Sequence, residues 1–375
     1  MAGRTPLQRA SLEKQNAAIM AVFNRAGFAQ IAPDIIQPAD IFLERSGEDI
    51  RARTFVFSDP DGTELCLRPD LTVPACRFHL SHAKHPEKEA RYSYLGTAFR
   101  FPNEKLSPQE FTQVGLEWFG AKDSIGVEAR MLKLAVAAVK AAGARSVKIT
   151  IGDVGLFAAL LNDTPMPDRW RRRLQHQFWR PEAFRDLLTA FAGGQVKNRS
   201  SISHVVDALN DQPPDEFISS WLQQNAQLQQ GNRSFAEVAQ RLAEKLADRS
   251  EAALPPASVA QIERHLKLSA SAETATTKLS KVAAGENYRA ALTTFAKRLT
   301  AFNAQGLDVS LMKFSASFGR EIEYYTGFVF QLEVNGVVVA GGGRYDDMLS
   351  DLGAKKRIPA FGFAIHAERL QAALQ

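Results

Sequence analysis

The sequence predicts an α+β fold: an antiparallel sheet with flanking helices, interrupted by a mostly helical insertion domain. Strand-like patterning falls in two blocks, one ending near residue 151 and one beginning near residue 309. Between them, residues 157–299 are rich in Ala, Gln, Arg and Leu and helical in pattern, with breaks at Gly193-Gly194, Pro213-Pro214 and Pro255-Pro256. Asn335-Gly336, flanked by two strand patterns, is a strong two-residue hairpin signal. The expected organisation is therefore 1–156, a first part of the sheet domain; 157–300, the insertion; and 301–375, the second part.

The apolar positions Leu12, Ile19, Val22 and Phe23 recur at helical spacing, and Gly27 stands where a helix C-cap belongs. Residues 31–42 read as extended and are broken by Pro33 and Pro38. Residues 53–68 read as a hairpin around the turn Asp59-Pro60-Asp61-Gly62, and 69–80 as the next helix. Strands over 92–100 and 113–120 flank a long polar loop, a length that more often carries function than decoration. A helix is expected over 127–142 and strands over 146–151, 309–315, 324–334 and 337–340. The run Gly341 to Asp346 follows, then a short helix, Phe361 to Ala364, and a last helix from about Ile365 to Gln375.

Composition narrows the classes. Of 375 residues, 45% are hydrophobic and 23% charged, which is globular rather than disordered. No apolar run approaches the roughly 18 residues of a membrane span, and the N-terminus lacks the apolar core of a secretory signal, so a cytoplasmic location is expected. Cys66 and Cys76 are too few and too poorly spaced for a zinc site and fit a reducing compartment. The net charge of +5 does not imply nucleic acid. The densest basic run, Arg169 to Arg173, reads as a solvated helix face, with an RNA contact as the alternative. His79, His82 and His85 can align on one helical face, but no carboxylate or thiol partner is evident and no metal is expected.

Six segments, in order, resemble the catalytic core of class II aminoacyl-tRNA synthetases, and specifically the histidine enzyme. Residues 28–42 resemble the first class II motif, which forms the dimer interface in that family. Leu67-Arg68-Pro69-Asp70-Leu71-Thr72 resembles LRPEGT beside the amino-acid pocket. Phe99-Arg100 with Phe111 to Glu117 resembles the second motif, Arg320 to Tyr325 resembles RGLDYY, and Ala340 to Asp346 resembles AGGRYD. Gly362 to Leu370 resembles the third motif, GFAxGxERL. The match covers roughly the first 155 and the last 65 residues.

The resemblance implies a histidine pocket. Zwitterionic histidine needs a carboxylate for its ammonium, hydrogen-bonding groups for its imidazole and a cation for its carboxylate. Glu117 and Asp70, with Thr72 and Gln113, match the family's ammonium set, although Asp70 stands for a glutamate one methylene longer. Tyr324 and Tyr325 can wall the imidazole, with plain strand packing as the alternative. Arg100 and Arg320 can face the carboxylate.

The nucleotide side departs from the family pattern FRHERP…RYRQF. The acid has become Pro102 and two later arginines Ser107 and Gln109, which leaves Lys105 as a point charge without a bidentate fork. The third-motif glycine is His366, whose side chain should fill space a nucleotide needs, although Arg369 is kept. The chain ends at the third-motif helix, where a synthetase continues into an anticodon domain. Together these features resemble the regulatory-subunit family of ATP phosphoribosyltransferase. The resemblance implies a non-catalytic chain without a cofactor that partners a short catalytic subunit in the first step of histidine biosynthesis. It would convey feedback inhibition by histidine within a hetero-oligomer built on a synthetase-like homodimer. The alternatives are a histidine-activating ligase and an RNA-binding module.

Overall fold

The computed structural model describes residues 3–45, 52–102, 109–193, 243–244, 247–248, 251–282, 285–319 and 324–375. The chain forms two compact units, Met1–Asp163 with Ile262–Gln375, and Thr164–Gln261, so that the stretch 157–300 is divided between them.

The first unit begins with α1 (Pro6–Arg25). Thr5 and Gln8 close a reciprocal capping box with Pro6 in the first turn, and Gly27 follows at φ +81°. The unit continues with β1 (Ala29–Ile31), β2 (Ile36–Pro38), α2 (Asp40–Arg45), β3 (Val56–Ser58), β4 (Glu64–Leu67) and α3 (Thr72–His82). The turn between β3 and β4 is the expected one. Asp59 Oδ1 accepts from the N–H groups of Asp61 and Thr63 at 3.0 and 2.9 Å, and Gly62 takes φ +84°. Next come β5 (Ala90–Phe99), β6 (Glu110–Phe119), α4 (Ser124–Ala141), β7 (Lys148–Asp153) and α5 (Val154–Asp163). In the second unit lie α6 (Asp168–His176) and α7 (Pro181–Phe191), and α8 (Pro256–Leu266) crosses the boundary. The first unit resumes with β8 (Ser269–Ser271), α9 (Ala272–Leu279), α10 (Glu286–Ala304), β9 (Met312–Ser315), β10 (Phe328–Val334), β11 (Val337–Arg344), α11 (Met348–Asp351), β12 (Ala360–His366) and α12 (Ala367–Leu374).

A nine-stranded sheet runs in the order β1-β5-β6-β12-β11-β10-β7-β9-β8. It is antiparallel from β5 to β7, but β1 pairs with β5, and β9 with β7, in parallel. β2, β4 and β3 make a second, small sheet. Side chains alternate between faces, and the register assigns them. Phe328, Phe330, Phe361 and Phe363 stack on the face that receives α1, α4 and α10, where Phe23 meets Phe363 edge-on. Each ring buried this fully contributes about 2–3 kcal/mol. The opposite face carries Glu117, Gly115 and Gln113 of β6, with Gly362, Ala364 and His366 of β12 directly across.

Several boundaries differ from expectation. The last helix begins at Ala367 because Ile365 and His366 are still paired with Val114 and Gln113. The strand expected from residue 324 begins at Phe328, and residues 309–311 form a 3-10 turn capped by the Asp308 carboxylate on the Ser310 N–H at 2.9 Å. The stretch expected to be helical holds the edge strand β8, too short to show alternation. The basic run on α6 is not merely solvated. Arg169 and Arg173 pair with Asp248, Arg169 also with Glu251, Arg171 with Asp168 and Arg172 with Glu244. Meanwhile Trp170 is buried and stacks on Phe191 at 4.2 Å.

Candidate functional site

Glu117 lies near the C-terminal end of β6 and is fully buried. Its Oε1 accepts from the Tyr94 hydroxyl at 3.1 Å and its Oε2 from the Tyr345 hydroxyl. The Thr72 hydroxyl meets it as well. The carboxylate lies over Gly362, where any Cβ would overlap Oε2, and Tyr94 fills the matching space over Gly115. The glycines thus form a floor that admits polar groups to the sheet face. No cationic side chain among the described residues pairs with Glu117. Burial pushes its carboxyl up to about 8 against the opposing pull of the Tyr345, Thr72 and Tyr94 hydroxyls.

Asp70 lies on the neighbouring loop and is also buried. Its Oδ1 accepts from the Val73 N–H at 3.1 Å, so it serves the open N-terminus of α3. Its Oδ2 is buried without a partner. Burial raises this carboxyl too, against the pull of nearby Arg100. Two adjacent buried carboxyls with spare acceptor capacity are costly unless something cationic or hydrogen-bonding meets them.

The other predicted residues gather around this pair or fall elsewhere. Thr72 opens α3 against Glu117. Gln113 uses its amide oxygen to receive the Leu71 N–H at 3.0 Å, fixing the loop that carries Asp70. Tyr324 and Tyr325 pack edge-on at 4.8 Å, and Tyr324 meets Tyr345 at 5.7 Å, which places them beside the group around Glu117. Arg100 donates Nε to the Pro69 carbonyl at 2.7 Å and lies over the Phe111 ring. Arg320 and Lys105 lie outside the described residues.

His366 stacks on Phe111 at 4.5 Å with the rings only 23° apart, so the imidazole occupies the face of that ring. Burial, then the charges of Arg369, Arg100 and Arg53, push it down to about 3, which keeps it neutral. Arg369 itself is exposed. The three histidines near α3 go separate ways. His79 Nε2 donates to the Pro86 carbonyl at 2.9 Å, which leaves Nδ1 to accept from Tyr92. His82 turns back to the Phe78 carbonyl, and His85 to Glu87.

Sequence reasoning missed Tyr94 and Tyr345 as partners of Glu117, Gly362 as the residue that makes room for it, and a buried ionic cluster behind the sheet. A groove of about 540 Å³ lined by Lys148, Thr150, Lys313 and Gln331 opens farther along the sheet and holds none of the predicted residues.

The sheet order and the motif segments on it define a histidyl-tRNA synthetase-like core. A family model described as histidyl-tRNA synthetase matches residues 1–197 and 218–370. Solved structures share the fold. A Bacillus halodurans ATP phosphoribosyltransferase regulatory subunit/histidyl-tRNA synthetase matches with a TM-score of 0.71 at 22% identity, covering 100% of this chain and 82% of its own. A Nostoc histidyl-tRNA synthetase matches with a TM-score of 0.61 at 16% identity, covering 98% and 72%. Within that fold class, the sequence relatives are specific. The ATP phosphoribosyltransferase regulatory subunit of Rhizobium rhizogenes is 36% identical over 90% of this chain and 92% of its own length. That of Allorhizobium ampelinum is 34% identical over 95% and 96%. The chain belongs to the ATP phosphoribosyltransferase regulatory subunit family.

Proposed function

We propose that this chain is the non-catalytic regulatory subunit of an ATP phosphoribosyltransferase, required by a short catalytic subunit in the first step of histidine biosynthesis and conveying feedback inhibition by histidine. The observation that carries this reading is the buried Glu117–Asp70 pair, met among the described residues by hydroxyls and backbone N–H groups. A ligand ammonium supplies the missing charge there. Tyr324 and Tyr325 wall the imidazole, Thr72 and Gln113 complete the ammonium side, and Arg100 with Arg320 takes the carboxylate. The nucleotide side lacks the arginine clamp, and His366 covers Phe111. Losing several contacts to developing charge costs orders of magnitude in rate, so the core does not activate histidine. Inhibition needs only that histidine bind one quaternary state more tightly than another. The complex is built on a homodimer and works in the cytoplasm.

Calorimetry with histidine, paired with an ATP–pyrophosphate exchange assay, tests the reading. The expected result is saturable histidine binding without histidine-dependent exchange. Robust exchange, or no binding, overturns it. Among the described residues, no helix is long and apolar enough to cross a membrane.

A further inference from the structure

Behind the pocket, on the helix-covered face of the sheet, five charged side chains form one ionic cluster. Arg344 donates Nε to Glu128 Oε1 at 2.7 Å, Nη1 to Asp346 Oδ1 at 3.0 Å and Nη2 to the Ser124 carbonyl at 3.0 Å. Glu128 Oε2 accepts from Arg298 Nε at 2.5 Å, and Arg298 Nη1 reaches Asp153 Oδ2 at 2.6 Å. Glu128 is 1% and Arg344 8% exposed. A cluster this dry is not explained as a stabiliser, since buried ion pairs break even at best against apolar packing. What it does is fix geometry.

Arg344 and Tyr345 are consecutive, and the pleat sends their side chains to opposite faces. The Arg344 guanidinium is clamped behind the sheet, and the next side chain emerges in front with its hydroxyl on Glu117. Residues 344–346 also hold the Tyr324–Tyr325 run. The Thr326 N–H donates to the Arg344 carbonyl at 2.8 Å, and the Asp346 N–H donates to Thr326 Oγ1 at 3.1 Å. Thr326 directly follows Tyr324 and Tyr325. Asp346 Oδ1 receives the Ala360 N–H at 2.9 Å, and the Tyr345 N–H goes to the Ala360 carbonyl at 3.0 Å. One forked cation therefore anchors both tyrosine walls.

We infer that Arg344 is a positioning residue for the effector pocket, clamping the backbone at 344–346 so that the Tyr345 hydroxyl is delivered to Glu117 and the Tyr324–Tyr325 wall is held beside it. The inference rests on the reading of this pocket as the histidine site. It gives the pocket a specific signature. Glu117 is faced by Asp70 and Cys76 from the α3 side, Tyr92 and Tyr94 from β5, Tyr324 and Tyr325 from the segment before β10, and Tyr345 just after β11. Of the groups that favour its ionised form, the Tyr345 hydroxyl pulls hardest. An ammonium ligand needs that ionised form. If Tyr345 is displaced, Glu117 holds its proton more tightly and binding requires a higher pH.

The test is calorimetric titration of histidine from pH 6 to 9 on the full chain and on Arg344→Lys. A lysine keeps the charge but cannot reach three acceptors in the fork geometry of arginine. The expected result is a dissociation constant raised about tenfold at pH 7, with the pH midpoint of binding moved upward, and the same shift in Tyr345→Phe. Arg298→Lys, which loosens the same cluster without touching residues 344–346, is expected to bind within about threefold of the parent with an unmoved midpoint. Equal effects of R344K and R298K would mean general loosening and overturn the inference, as would a parent-like profile for R344K. Should R344K fail to fold, Thr326→Val decides instead: a smaller loss with the same upward shift supports the clamp, and an unchanged profile overturns it. Failure of the parent to bind histidine at any pH would instead remove the underlying reading.

Discussion

At the scale of single residues, the buried Glu117 carboxyl makes stability depend on pH. In the folded chain its carboxyl keeps its proton up to about pH 8, whereas an unfolded glutamate ionises near 4.5. The folded state therefore holds one more proton than the unfolded state between those values, and stability falls as pH rises through that window. Glu117→Gln keeps the shape and cannot ionise, so it removes this slope. The variant is expected to melt higher than the parent by an amount that grows from pH 5 to pH 8, reaching a few kcal/mol. On the proposed reading, added histidine is expected to raise the melting temperature of the parent and to leave the variant unmoved. Calorimetric melts with and without histidine at several pH values check both parts, and a variant that melts lower at pH 8 refutes the account. Part of this site was legible beforehand. Asp70, Thr72, Gln113, Glu117, Tyr324 and Tyr325 sit in segments singled out by the resemblance to the histidine enzyme, and the fold gathers them around Glu117. Tyr94, Tyr345 and Gly362 were not, because what makes them matter is cross-strand register. Gly362 faces Glu117 only because β12 pairs with β6 at that offset, and nothing in the local sequence sets an offset between strands 245 residues apart (from 117 to 362).

At the scale of elements, the strongly patterned pieces were legible and the junctions were not. The hairpin turn at Asp59–Gly62 and the Asn335-Gly336 turn appear where their chemistry dictates, with Asn335 at φ +49° and Gly336 at φ +83°. The start of the last helix was misjudged because His366 belongs to β12 by pairing rather than by propensity. One junction holds α5 against α10. Burial would raise the Asp163 carboxyl at the end of α5, but the N–H groups of Tyr288 and Asn287 outweigh it and hold it below the usual range. The Tyr288 N–H lies 2.7 Å from Oδ2, and the Asn287 N–H 3.2 Å from Oδ1. A carboxylate borrowed from a distant segment thus caps α10, whose own N-cap, Gly285, has no side chain. Asp163→Ala is expected to cost about 1–2 kcal/mol in urea unfolding at pH 7. Because the folded carboxyl ionises below its unfolded value of 3.8, its contribution is present above that pH and fades below it. The difference between variant and parent should therefore shrink in acid, and a constant difference down to pH 2 would argue against capping.

At the scale of the whole molecule, the proposed reading draws every histidine contact from one chain, so binding is expected not to require a partner. Regulation does. A ligand shifts an activity elsewhere only by distinguishing two states of an assembly. The surface carries an apolar group on and beside the small sheet. Ile35, Ile36, Val56, Phe57 and Phe101 are exposed on and beside the small sheet, at 39–52% of their accessible area, and Phe101 stacks on Phe55. Apolar side chains gathered in this way mark contact surfaces, and Ile35 and Ile36 fall within the segment that resembles the dimer-forming motif. Phe57→Asp places a charge on that surface at an exposed position outside the buried core. By sedimentation the parent is expected to be a dimer and the variant a monomer. Calorimetry should find histidine affinity within about threefold of the parent, because the pocket is intact. In the presence of the short catalytic subunit, the variant should fail to restore parental phosphoribosyltransferase activity or its inhibition by histidine. A monomer that binds histidine yet still inhibits would place the regulatory coupling within a single pair of unlike chains. A variant that stays dimeric would move the self-contact away from the small sheet.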